Sequence, residues 1–206
     1  MERRELLKMI ALATGGVMIG GELLLTGCKN SKPAGVLFND DDIIFLDEVG
    51  ETIVPTTSSP GAKAAEIGKF MKTMVTDCYT EADQKAFIAG IQQLDDACKK
   101  MHNTGFMKAT PEQRKTLLVA LDKEAKAFQK EKNEKEKDER AKASKEHNKQ
   151  FVFAPAHYFT MMKQLTLFGY FTSKPGATQA LRYAPVPGKW EACIPYKKGD
   201  KVWATS

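Results

Sequence analysis

Residues 151–171 read FVFAPAHYFTMMKQLTLFGYF, and the fold turns on this stretch. Wound as a helix ending at Gly169, it is apolar on most sides, so it has to be buried. It is either the central helix of its domain or a helix partly covered by another subunit, because a small bundle rarely surrounds one helix completely.

Upstream the composition reverses. Residues 123–149 carry ten basic and seven acidic side chains, with Glu131/Lys135, Glu136/Arg140 and Asp138/Lys142 four apart in the favourable order. After Phe128 almost nothing in this run can be buried, which predicts a helix that projects from the core or bridges its surface. The interleaved acids argue against an anionic-lipid or nucleic-acid patch. That helix starts clearly at Thr110-Pro111-Glu112-Gln113, with a threonine cap, proline in the first turn and glutamine at the capping-box position. Its core face is Leu117, Leu118, Leu121, Ala125 and Phe128.

Earlier segments are helical too. Asn39 caps a first turn of Asp40, Asp41 and Asp42, with Ile43, Leu46, Val49 and Ile53 facing inward, and Pro55 to Gly61 ends it. A second helix carries Ile67, Met71, Met74, Val75 and Cys78 on one face. Thr80 to Asp83 caps a third, whose apolar face is Phe87, Ile91, Leu94, Cys98 and Met101. Beyond Pro175 the chain holds Pro185, Pro187, Gly188, Trp190, Pro195 and Trp203, which suits irregular chain wrapping a surface. The expected class is therefore all-α: a small helical bundle over residues 39–206, with one long charged helix and an irregular Pro/Trp-rich C-terminal tail.

The first 27 residues do not belong to that domain. Arg3 and Arg4, followed by Glu5, Leu6, Leu7 and Lys8, resemble the twin-arginine export signal, with an ordinary secretory start as the alternative. The apolar run from Met9 to Leu25 is short, rich in glycine and interrupted by Glu22, as a signal-peptide core is. Leu25-Thr26-Gly27-Cys28 resembles a lipobox, which would leave an acylated Cys28 as the new N-terminus and residues 28–38 as a polar tether. A plain structural role is the other reading of Cys28. The expected location is the periplasm, lipid-anchored to a bacterial membrane.

With 206 residues, 42% of them hydrophobic, and 31 basic against 26 acidic side chains, the chain has the balance of one folded domain and no strong pull toward nucleic acid. Four cysteines without a Cys-x-x-Cys pair exclude a zinc ribbon and c-type haem attachment. Neither a Gly-x-Gly-x-x-Gly nor a Gly-x-Ser-x-Gly motif occurs outside the signal, so no nucleotide cradle, metal set or catalytic constellation is expected in this chain. His102 and His147 read as solvated. His157, beside Tyr158 at the start of the aromatic helix, reads as a satisfied core histidine or an interface group. Cys98 reads as a buried small hydrophobe. Cys78 and Cys193 either pair and pin the tail or stand as free thiols.

Several of these stretches together resemble the gluconate 2-dehydrogenase subunit 3 family. They are the twin-arginine pattern, Leu37-Phe38 leading into DDIIFLDEVGETIVP at 41–55, Pro60 to Ala65, Asp77-Cys78-Tyr79-Thr80, and His157 to Thr166. The resemblance implies a small exported accessory subunit without catalytic residues. Its partner would be a periplasmic flavoprotein dehydrogenase of the glucose-methanol-choline type, which would carry the FAD. A cytochrome c is a further partner the resemblance admits, although a lipid on Cys28 could do the anchoring here. On this view the partner face comprises His157, Tyr158, Phe159, Met162, Phe168, Tyr170 and Trp190. Two other readings stand beside it: a free-standing lipoprotein binding a small ligand inside its bundle, and an enzyme using His157 with a tyrosine.

Overall fold

A computed structural model describes residues 38–145, 153–186, 188 and 193–204, with side chains omitted for 138–145. Among these residues there are five α-helices: α1 (Asp40–Ile53), α2 (Ile67–Cys78), α3 (Glu81–His102), α4 (Pro111–Lys145) and α5 (Tyr158–Thr172). Short 3-10 turns at Ala62–Ala65 and Phe106–Lys108 link them, and a π-turn at Gly176–Ala180 follows α5. The expected all-α bundle is what forms. Arg3, Arg4, Leu6, Leu7, Lys8, Cys28, His147 and Trp190 lie outside the described residues.

The expected helix starts are made by the expected groups. Asn39 Oδ1 accepts the Asp42 N–H at 2.7 Å and Asp42 Oδ2 accepts the Asn39 N–H at 3.0 Å, a reciprocal capping box. Thr110 and Gln113 repeat it on α4, at 3.3 and 2.9 Å. Thr80 Oγ1 accepts the Asp83 N–H at the start of α3.

Helix α5 is the centre of the bundle and packs against all four other helices. Met162 is fully buried, as are Leu46, Val49, Ile67, Met71, Phe87, Leu94 and Leu117 from the surrounding helices. Burying such a side chain contributes about 1.5–3 kcal/mol, and here the core is drawn from every helix. Val36–Ser206 makes one compact unit around this core. No helix among the described residues is long and apolar enough to cross a membrane.

Several expectations change, among them that Met101 and Cys78 face inward: both are exposed. The aromatic helix does not run from Phe151 to Gly169: residues 153–157 are extended, and the helix begins at Tyr158 and ends at Thr172. Pro155 favours an extended residue before it, and His157 supplies the cap. Phe128, expected in the core, is exposed, because the inward face of α4 passes from Ala125 to Lys132 and Glu136 instead. Glu136 is only 7% exposed, and its carboxylate accepts the Ala154 N–H at 3.4 Å. Lys132 Nζ donates to the Ala154 carbonyl, so Lys132 and Glu136 seat this part of the charged run on the extended segment. His102 is not solvated at its ring nitrogen: Nε2 is buried with no hydrogen-bond partner among the described residues.

Carboxylates tie the connections down. Glu51 accepts the Thr56 N–H at 2.8 Å, the Thr56 hydroxyl at 2.7 Å and the Lys63 N–H at 3.0 Å, organising the Pro55–Gly61 loop. Glu48 meets Arg114 Nη1 at 2.5 Å and also pairs with Lys63, and Arg114 donates from Nε to the Phe106 carbonyl at 2.9 Å. Asp95 accepts the Phe106 N–H at 2.7 Å. Burial pushes the Glu48, Glu51 and Asp95 carboxyls up, but these hydrogen bonds and the nearby lysine and arginine charges outweigh it and hold all three below their usual range. Folded values below unfolded values mean that stability is full above the unfolded carboxylate range and is lost as pH falls through the folded values. Urea midpoints should therefore fall steeply below about pH 4.5. Glu51→Gln should flatten that slope, whereas an unchanged slope would remove Glu51 from the account. Asp47 works the other way, because burial raises its carboxyl despite the Gly68 N–H it accepts at 2.7 Å.

Candidate functional site

Two surfaces flank α5. At its N-terminal end, His157 Nδ1 accepts the Phe159 N–H at 3.2 Å, acting as the helix cap in place of the usual hydroxyl or carboxylate. Its Nε2 lies 3.8 Å from Glu124 Oε1. The Phe128 ring stands edge-on at 5.6 Å, and the Tyr158 ring stacks at 4.5 Å. These groups, with Leu121 and Ala86, line a groove of about 530 Å³ between α3, α4 and the extended segment. Tyr158 reaches the groove because Gly90 of α3 has no side chain: a Cβ there would sit 2.3 Å from Tyr158 Cβ.

The electrostatics of the groove favour neutral groups. Burial lowers the His157 imidazole, and Glu124 raises it only partly. Burial, with the Glu124 charge, pushes the Tyr158 phenol up to about 12. At neutral pH the phenol therefore keeps its proton, and His157 Nδ1 has its lone pair committed to the helix cap. The arrangement holds the start of α5 in place.

At the other end, α5 presents Leu167, Phe168 and Phe171 to solvent, with Phe168 54% and Phe171 43% exposed. Phe70 of α2 extends the patch, its ring centroid 5.8 Å from that of Phe168. Under it, Gly169 lets Phe70 and Ile67 approach, since a Cβ at Gly169 would lie 2.5 Å from the Phe70 ring. Tyr170 anchors the segment from within, donating its hydroxyl to the Pro60 carbonyl at 2.5 Å.

The residues grouped as a partner face therefore separate. Phe159, Met162 and Tyr170 are already buried by this chain's own helices and cannot also meet a partner. His157 and Tyr158 line the groove, and Phe168 belongs to the exposed patch. Leu167, Phe171 and Phe70 were missed. The signal for two of them was Gln164, a polar residue on the same line of the helix as 167, 168 and 171. Cys78 and Cys193 are free and exposed, so the disulfide considered between them is not formed; Cys98 is buried, as expected of a small hydrophobe. Arg182 lies over the Trp203 ring at 4.1 Å and donates its N–H to the Val202 carbonyl at 2.8 Å.

Among the described residues no three or more of His, Cys, Asp and Glu converge as metal ligands would. The gluconate 2-dehydrogenase subunit 3 profile matches residues 40–188, well over half of the chain. The chain belongs to that family. The match begins at the first residue of α1 and runs past the π-turn, so both surfaces of this subunit 3 protein lie inside it. No curated protein and no solved structure matches the chain.

Proposed function

We propose that this subunit 3 protein is a non-catalytic accessory subunit of a periplasmic, membrane-associated sugar or glycoside dehydrogenase. The large subunit is a flavoprotein of the glucose-methanol-choline type, which carries the FAD and the catalytic residues. The small subunit assists its folding and its twin-arginine export through Arg3 and Arg4, and anchors it through a lipid on Cys28. Family membership over residues 40–188 carries this reading. The apolar patch of Leu167, Phe168 and Phe171 supports it, because exposed aromatic clusters mark places where another surface docks.

Purification of the tagged chain from its native membrane tests it. A flavin-containing subunit should come down with the tag, and loss of the small subunit should leave that flavoprotein in the cytoplasm. Absence of any flavoprotein, or normal export of the large subunit without this chain, would overturn the proposal. Cys28→Ser should release the complex from the membrane fraction in high salt without dissolving it.

A further inference from the structure

In the sequence the charges of α4 alternate; in the folded chain four of its exposed lysines fall on one line. Glu136 is buried against Ala154, Glu124 faces His157, and Asp122 is held between Lys126 at 2.7 Å and Lys163 at 2.6 Å. Three acids are thus engaged on the inner and lateral sides of the helix. The outer side keeps a row of lysines, with the exposed Glu131 and Glu134 beside it. Lys123, Lys126, Lys130 and Lys137 are all exposed and recur at steps of three, four and seven residues, so they share one line, with Asn133 in the remaining place. Among the described residues Lys123, Lys130 and Lys137 have no carboxylate within ion-pair distance, and Lys126 shares Asp122 with Lys163. The open surface on this face is formed by Lys126, Gln129, Lys130, Asn133, Lys137 and a single acid, Glu134. At about 1.5 Å per residue the row is about 21 Å long.

We infer that this lysine row on the solvent face of α4 lies along an anionic lipid surface. The side chains themselves choose the partner. Interfaces with proteins are depleted in lysine, whereas single-stranded nucleic-acid grooves interleave aromatic rings and arginine with the charges; this row has neither. Lysine is a mobile point charge on a long stem, which suits a surface of many equivalent phosphates better than a fixed bidentate partner. The inference rests on the membrane-associated reading above but not on acylation. A lipid at Cys28 would tether the body, and the row would fix which side of it faces the membrane.

The experiment uses unlipidated residues 29–206, which contain the compact unit Val36–Ser206. It is mixed with vesicles of phosphatidylcholine alone or with about 30% phosphatidylglycerol. The protein should sediment with the anionic vesicles only, and its partition should fall at least tenfold between about 50 and 300 mM salt. Lys123→Glu with Lys130→Glu should lower partition about tenfold or more. Lys197→Glu with Lys198→Glu, an equal charge change at exposed tail positions, should lower it less than about threefold. Circular dichroism should be unchanged in both pairs. Equal losses in the two pairs, or no preference for anionic vesicles, would overturn the inference. So would a row variant that keeps its lipid partition but releases the co-purifying flavoprotein, which would make the row a protein contact. If mass spectrometry finds Cys28 unmodified while the row variant still loses vesicle binding, the lipid anchor falls and this inference stands.

Discussion

Gly90→Ala should destabilise the chain by about 2–3 kcal/mol, measured as a shift in urea midpoint at constant slope. The sign makes this informative. In the interior of an exposed helix the same change stabilises by about 1 kcal/mol, because alanine is the better helix former. Here the added carbon would lie 2.3 Å from Tyr158 Cβ and 2.5 Å from Cγ, against the 3.4–4 Å of ordinary contact. Neither atom is the free end of a flexible side chain, so α3 and α5 must move apart by more than a rotamer change can absorb. That opens the wall of the His157 groove and loosens the helix on which the bundle is built. A midpoint that rises would show that the two helices do not approach at this point.

The second large effect separates one buried residue of α5 from two exposed ones. Met162→Ala should cost about 2–5 kcal/mol in the isolated chain, since it empties a fully buried site touched by the surrounding helices. Phe168→Ser combined with Phe171→Ser should cost the isolated chain less than about 2 kcal/mol, because both rings are about half exposed. In the complex the order reverses. The double serine variant should reach the membrane folded and fail to retain the flavoprotein. A double variant that unfolds would make the patch part of the core, and one that folds and still holds the flavoprotein would remove it from the docking surface.

Where a local chemical signal existed, the sequence was readable. Asn39, Thr80 and the Thr110/Gln113 pair each offer a side-chain oxygen to the free N–H groups of a first turn, and each is used that way. The interior of α5 was not readable, since the two-sided contrast that orients a helix is absent where nearly every position is apolar. Phe159 and Phe168 are the same residue type, and only the arrangement of the other four helices buries one and exposes the other. The seat of α4 was hidden for the opposite reason: Lys132 and Glu136 read as solvated, yet Ala154 supplies the partners that let them turn inward. At His157 the residue was noticed but its role was not, because imidazole is an uncommon cap and the 3.2 Å bond to Phe159 depends on where the extended segment ends.

The position of α5 in the chain has a consequence for biosynthesis. The helix that every other helix packs against is the last of the five to leave the ribosome. Until it emerges, α1 to α4 can pack on one another but lack the helix that all four share, and the side chains that meet α5 stay uncovered. The contact from Tyr170 to Pro60 bridges 110 residues, so the final topology is sealed only after almost the whole message has been read. The side chains that meet α5 are therefore covered only once residues 158–172 have been made, so a second polypeptide present earlier would find them exposed.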